Sequence, residues 1–173
     1  MSFLTKIRNN FLYDVVKSAT SSVLTAITIS ILALLVSDHF FAPPRISGLW
    51  EFSVVYENTS YGMFKNLKVT YQAALVQSEM KLQGSGDKYS EQFPDATTPT
   101  YYDQPDRIPI KINGYIERKF LGQDKIFLYI SEKGKKRESS AFHELNQEGD
   151  GSMTGTFYTT IANTSGSVVW KKP

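Results

Sequence analysis

Few residues in this chain could carry covalent chemistry. It has no cysteine and only two histidines, His39 and His143, which removes thiol nucleophiles, disulfides and thiolate metal sites. Neither histidine belongs to an HExxH pattern or a carboxylate cluster, so a metal would lack further ligands and a nucleophile would lack its base. No enzyme activity, metal or cofactor is expected. The chemistry these residues do support is recognition. Tyr56, Tyr71 and Thr159 each alternate with apolar neighbours, and Arg118 follows Ile112, Gly114 and Ile116 at the same period. A tyrosine or threonine on such a face is either a core residue with a hydrogen bond or a ligand contact. A guanidinium there needs an anion, a carbonyl or an aromatic face. A phosphate is one candidate, and the indole of Trp50, expected at the same end, is another. His143 alternates with Ser139, Ala141 and Leu145 and is expected to be a satisfied interior residue.

The elements that must position these residues are strands. Beyond Arg45 the apolar residues recur every second position, and no segment carries a long helical stripe. Eight strands are expected, over 48–57, 66–74, 76–84, 108–119, 125–132, 137–146, 152–161 and 166–172. Most joins carry turn residues, such as Gly149-Asp150-Gly151 and Asn163 to Gly166. Eight antiparallel strands with one apolar face each resolve their edges by closing into an up-and-down β-barrel, which can hold one small ligand. The connection over 85–107, rich in Pro, Asp, Thr and Tyr, reads either as a rim over the mouth or as a surface loop. The net charge of +2 is too small for a groove that tracks a nucleic acid polymer.

The N-terminal part is different in kind. Residues 18–36 contain no charge, and the run extends to 41 with Asp38 in the headgroup region. That length spans a bilayer core as a helix, and no cleavage pattern follows it. The expected organisation is therefore an amphipathic segment over 1–17, a transmembrane helix over 18–41, a linker over 42–47 and a barrel over 48–173. Phe40 and Phe41 suit the interface, and Pro43-Pro44 stops the helix. Ser18, Ser22, Ala26 and Ser30 recur every four residues, so one helix face is lined by small side chains. That face permits self-association into a homo-oligomer, or its hydroxyls bond to carbonyls of their own helix.

Gly48-Leu49-Trp50 resembles the G-x-W opening of lipocalin-like barrels, in which glycine and indole are structural and the ring plugs the base. The same opening, an N-terminal membrane segment, the stretch YQAALVQSEMKLQG and the ending SSAFHEL then GSMTGTFYTTIANTSGSVVWKK together resemble the membrane-anchored β-barrel effectors of bacterial CBASS antiphage systems. The distinctive part is G-x-[FY]-x-T…T-x-G, met here by Gly155, Phe157, Thr159, Thr164 and Gly166.

The resemblance implies a lipocalin-like barrel that binds a cyclic di- or trinucleotide made by a partner nucleotidyltransferase. Binding would drive oligomerisation that disrupts the bacterial inner membrane and kills the infected cell. Tyr56, Tyr71, Arg118, Thr159 and Thr164 would then be ligand contacts. The family carries two membrane crossings where this chain shows one, and TIAN over 160–163 lacks the basic residue expected there. Lys6, Arg8 and Lys17 precede the span while Arg45 follows it closely, a charge bias that favours a barrel outside the cytoplasm. The implied role needs the barrel to face the cytoplasm. The alternative is an anchored periplasmic lipocalin-like carrier of a small apolar ligand.

Overall fold

The computed structural model describes residues 3–41, 44–119, 122–134 and 137–173. The side chains of 3–14 and 37–41 lie outside the described residues, and with them the expected amphipathic face, Phe40 and Phe41; so does Pro43. The chain divides into two compact units, residues 1–42 and 43–173.

The first unit is one α-helix, α1, over Phe3–Phe41. Its apolar stretch, Val15–Val36, is 22 residues long with mean hydropathy 2.1, and all its side chains are exposed. At 1.5 Å per residue it extends about 33 Å, so it is long and apolar enough to cross a membrane core of roughly 30 Å. The hydroxyls along it are turned onto their own helix. Ser22 Oγ donates to the Ser18 carbonyl at 3.0 Å, Ser30 Oγ to the Ala26 carbonyl at 2.9 Å, and Thr25 and Thr28 do likewise.

The second unit is a closed antiparallel barrel. Its strands are β1 (Gly48–Asn58), β2 (Lys68–Ser78), β3 (Lys81–Gln92), β5 (Ile108–Glu117), β6 (Lys125–Lys133), β7 (Glu138–Gln147), β8 (Met153–Thr159) and β9 (Thr164–Lys171). A two-residue β4 (Thr100–Tyr101) pairs with the end of β3, beyond where β5 begins. Consecutive barrel strands pair, and β1 pairs with both β2 and β9, which closes the ring. No barrel strand is left with an open edge.

Alternation decides the interior. On β1, Trp50, Phe52 and Val54 are buried while Leu49, Glu51 and Glu57 are exposed. The closed end, the base, carries Gly48 and the turn between β2 and β3; the other end, the mouth, carries the joins β1–β2, β3–β5, β6–β7 and β8–β9. Gly48 has φ 138°, a backbone conformation that favours glycine. Within the stretch expected as a linker, Ile46 packs into the barrel. Ile46 is fully buried, its N–H donates to Gln77 Oε1 at 2.8 Å, and its carbonyl accepts Trp50 Nε1–H at 2.7 Å. Ile46 and Trp50 together plug the base.

Two boundaries differ from the sequence expectation. The turn between β2 and β3 falls at Glu79 and Met80, with Glu79 at φ 54°, rather than near Leu75. Strand β3 then runs on through Gly84-Ser85-Gly86-Asp87 to Gln92, a composition that reads as loop because glycine and aspartate are poor strand formers. The long connection accordingly shrinks to 93–107.

Candidate functional site

The middle of the barrel is filled with rings. Phe52 is stacked between Trp170 and Tyr71, with centroids at 3.9 and 4.6 Å. His143 stands edge-on to Phe52, Trp170 and Phe157 at 5.6 to 6.0 Å. The fully buried His143 accepts a hydrogen bond at Nδ1 from Trp170 Nε1–H at 3.3 Å. Burial pushes its pKa down to about 3, so the imidazole is neutral at ordinary pH. It is an interior residue of the kind the alternation indicated.

Above this stack a crypt of about 30 Å³ remains, lined by Tyr56, Tyr71, Glu132, Ser139, His143 and Thr159 among others. That volume admits a water or two, whereas pockets for drug-sized ligands run to roughly 300–1,000 Å³. The hollow expected from a small barrel is therefore occupied by the protein's own side chains.

The mouth end is chemically unlike the base. Below the stack the interior is Trp50, Leu75, Leu82, Ile112, Ile126 and Leu128, all buried. At the mouth, Tyr71 Oη donates to Glu132 Oε2 at 3.0 Å. Lys88 Nζ lies 2.9 Å from Glu91 Oε1 and 3.8 Å from Glu132 Oε1. Tyr102 caps the group, with Lys88 Nζ 5.6 Å from its ring centroid, and burial first and the Glu91 carboxylate second push its phenol up. Lys88 is buried, and the two carboxylates outnumber it, so the mouth is a partly enclosed polar site with an acidic balance. Burial first, and the nearby carboxylates second, push the phenols of Tyr56 and Tyr71 up, so both stay protonated.

One irregularity builds this cluster. Tyr71 pairs with Lys88 and Thr70 with Ser90, which leaves Tyr89 as an extra residue on β3. A bulge of this kind reverses the alternation beyond it, so Lys88 and Glu91 both turn inward although their numbers differ in parity. The segment behind it is tied down. Tyr102 N–H donates to the Tyr89 carbonyl at 2.8 Å, and Arg107 donates to the Tyr102 carbonyl and to Asp87 Oδ1, each at 3.3 Å.

Of the residues singled out in the sequence, Tyr56, Tyr71 and Thr159 come together at the crypt. Thr159 Oγ1 donates to the Ser140 carbonyl at 3.0 Å. Thr164 is buried beside them, paired across the sheet with Thr159 and donating to Thr59 Oγ1 at 3.0 Å. The G-x-F-x-T…T-x-G pattern is thus a run of inward positions on two neighbouring strands. Phe157 lies opposite Gly166, where a Cβ would sit 1.9 Å from the Val55 carbonyl oxygen. Arg118 does not join the site. It follows the end of β5 at the base, half-buried, with Nε 2.9 Å from Asp124 Oδ2. The cation over the Trp50 indole is instead Lys172, 5.2 Å from its centroid. Lys88 and Glu91 escaped the sequence reading because the bulge hides their common face, and Tyr102 because it lies in the connecting segment, whereas Glu132 continues the inward alternation of Ile126, Leu128 and Ile130 on β6 and could have been read from it.

No protein-family model, curated protein or solved structure matches this chain.

Proposed function

We propose that this chain is a membrane-tethered receptor of antiphage defence, with a mouth site that takes a cyclic di- or trinucleotide from a partner nucleotidyltransferase. The observation that carries the reading is the cluster of Lys88, Glu91, Glu132 and three tyrosines at one end of a barrel otherwise sealed with apolar rings. Enclosed ionisable groups are costly, and they gather where a protein binds or reacts. With the interior full, the ligand lies across the mouth rather than inside it. Glu132 and Glu91 accept hydrogen bonds from the N–H groups of a base edge, and Tyr56 offers a ring and a hydroxyl. The phosphates remain outside, near the exposed Lys65, Lys133 and Arg137 at the mouth, because the acidic balance within repels them. Arg118, at the base, makes no contact. The apolar carrier is not favoured, since the crypt leaves no room for such a guest.

In this reading α1 anchors the chain in the inner membrane with the barrel in the cytoplasm, and assembly breaches the bilayer. Ligand binding drives that assembly only if the assembled state binds it more tightly than the single chain does. The test is calorimetric titration of the full chain in detergent micelles with a panel of cyclic di- and trinucleotides. Saturable heat is expected with at least one of them, weakened at least tenfold by Glu132→Gln or Tyr56→Ala and unchanged by Arg118→Ala. Absence of heat and of any thermal shift across the panel refutes it.

A further inference from the structure

The outer wall of the barrel has two opposite and unlike faces. On β5 to β8, Tyr115, Phe127, Tyr129, Phe142 and Tyr158 point outward and touch in series. Ring centroids are 5.1 Å apart for Tyr115 and Phe127, 5.8 Å for Phe127 and Phe142, and 5.0 Å for Tyr129 and Phe142, while Tyr158 pairs with Phe142 across the strands. Three of the five are largely exposed, at 43% for Tyr115, 54% for Tyr129 and 48% for Tyr158. Solvent-facing positions of a barrel are ordinarily polar, and a contiguous aromatic patch of this kind marks an interaction surface.

Around the ring β1 stands four strands from β6 by either route, so the wall of β9 and β1 is the far side. There the outward residues are small. Ser53, Val55, Ser167 and Val169 floor a shallow groove of about 390 Å³, with Lys68, Lys171 and a single carboxylate, Glu51, at its edges. We propose that this groove receives the aromatic wall of a second copy of the chain. Protruding rings meet a recess of small side chains, and Lys68 and Lys171 meet the ring faces and a border in which Glu117 and Glu144 outnumber Lys125, the partner of Glu144. Because the two faces differ and lie opposite each other, every copy offers one of each. The contact is head-to-tail and extends into rows rather than closing as a two-fold dimer. This assignment is independent of the ligand reading.

The test exploits the absence of cysteine from the chain. Full-length Ser131→Cys, on the aromatic wall, and Val169→Cys, in the groove, are reconstituted alone or together in phosphatidylethanolamine/phosphatidylglycerol vesicles and treated with a short bis-maleimide. The mixed pair is expected to cross-link at least fivefold more than either chain alone, and Tyr129→Lys in the Ser131→Cys chain to abolish the gain without lowering its melting temperature. Equal or greater cross-linking of like pairs overturns the proposal, as does cross-linking in no combination. Association through α1 alone brings barrels together without this preference, and so also counts against it.

Discussion

His143 makes the barrel acid-sensitive below about pH 6.5. Its pKa lies near 3 in the folded barrel against an ordinary 6.5, so between those values the unfolded chain binds a proton that the native one refuses. Stability therefore falls as pH drops below 6.5, by about 1.4 kcal/mol per pH unit, and is unaffected by this group above about pH 7.5. At pH 5.0, 1.5 units below the unfolded value, the loss is about 2 kcal/mol. For a barrel of this size that lowers Tm by roughly 6–10 °C. His143→Gln keeps an acceptor for Trp170 Nε1–H and removes the titration. Melting the full chain and the variant in detergent at pH 7.5 and 5.0 isolates the effect, because carboxylates and His39 contribute equally to both proteins. The variant starts lower, through lost packing, but its own decline over this range is expected to be smaller by about 2 kcal/mol. Parallel declines in the two proteins would refute a buried, neutral His143.

Three further outcomes follow from the packing. Ile46→Ala opens the base plug and is expected to cost about 2–4 kcal/mol in a denaturant titration, although the residue stands outside every strand. Gly166→Ala places a methyl against the Val55 carbonyl and should cost about 3 kcal/mol or more, or prevent folding, as read by near-ultraviolet circular dichroism. Arg118→Ala removes a largely buried, charge-assisted hydrogen bond with Asp124 and should cost about 1.5–3 kcal/mol by the same titration.

The architecture was legible wherever alternation ran unbroken. On β5, β6 and β7 the inward isoleucines and leucines report their face directly, and the observed boundaries fall within a residue or two of those expected. Strand β3 was not legible beyond Gly84, because its glycines, serines and aspartate take their strand conformation from pairing with β2 and β5, not from local preference. The site inherited that gap. Tyr56, Tyr71 and Thr159 alternate with apolar residues and could be placed, whereas Lys88 and Glu91 meet only through the extra residue at Tyr89, which no periodicity announces. Arg118 could be placed at the base, but not its partner, since the alternation of β5 continues past the last strand residue and the guanidinium meets Asp124 rather than an indole or a phosphate. The filled interior was also beyond reach, because residue types fix which side chains point inward but not whether their rings stack without a gap.

Closure between the first and last strands has a consequence for how the protein can be rewired. Residue 44 and Lys171 both lie at the plugged end, so a short peptide could join them while a cut between β6 and β7 supplied fresh termini. Attached there, the anchor would join the barrel at the mouth instead of at the base, with no core contact altered. Which end of the cylinder carries the anchor is thus a matter of wiring rather than of architecture, and a permutant inverted in this way would separate recognition by the barrel from its presentation.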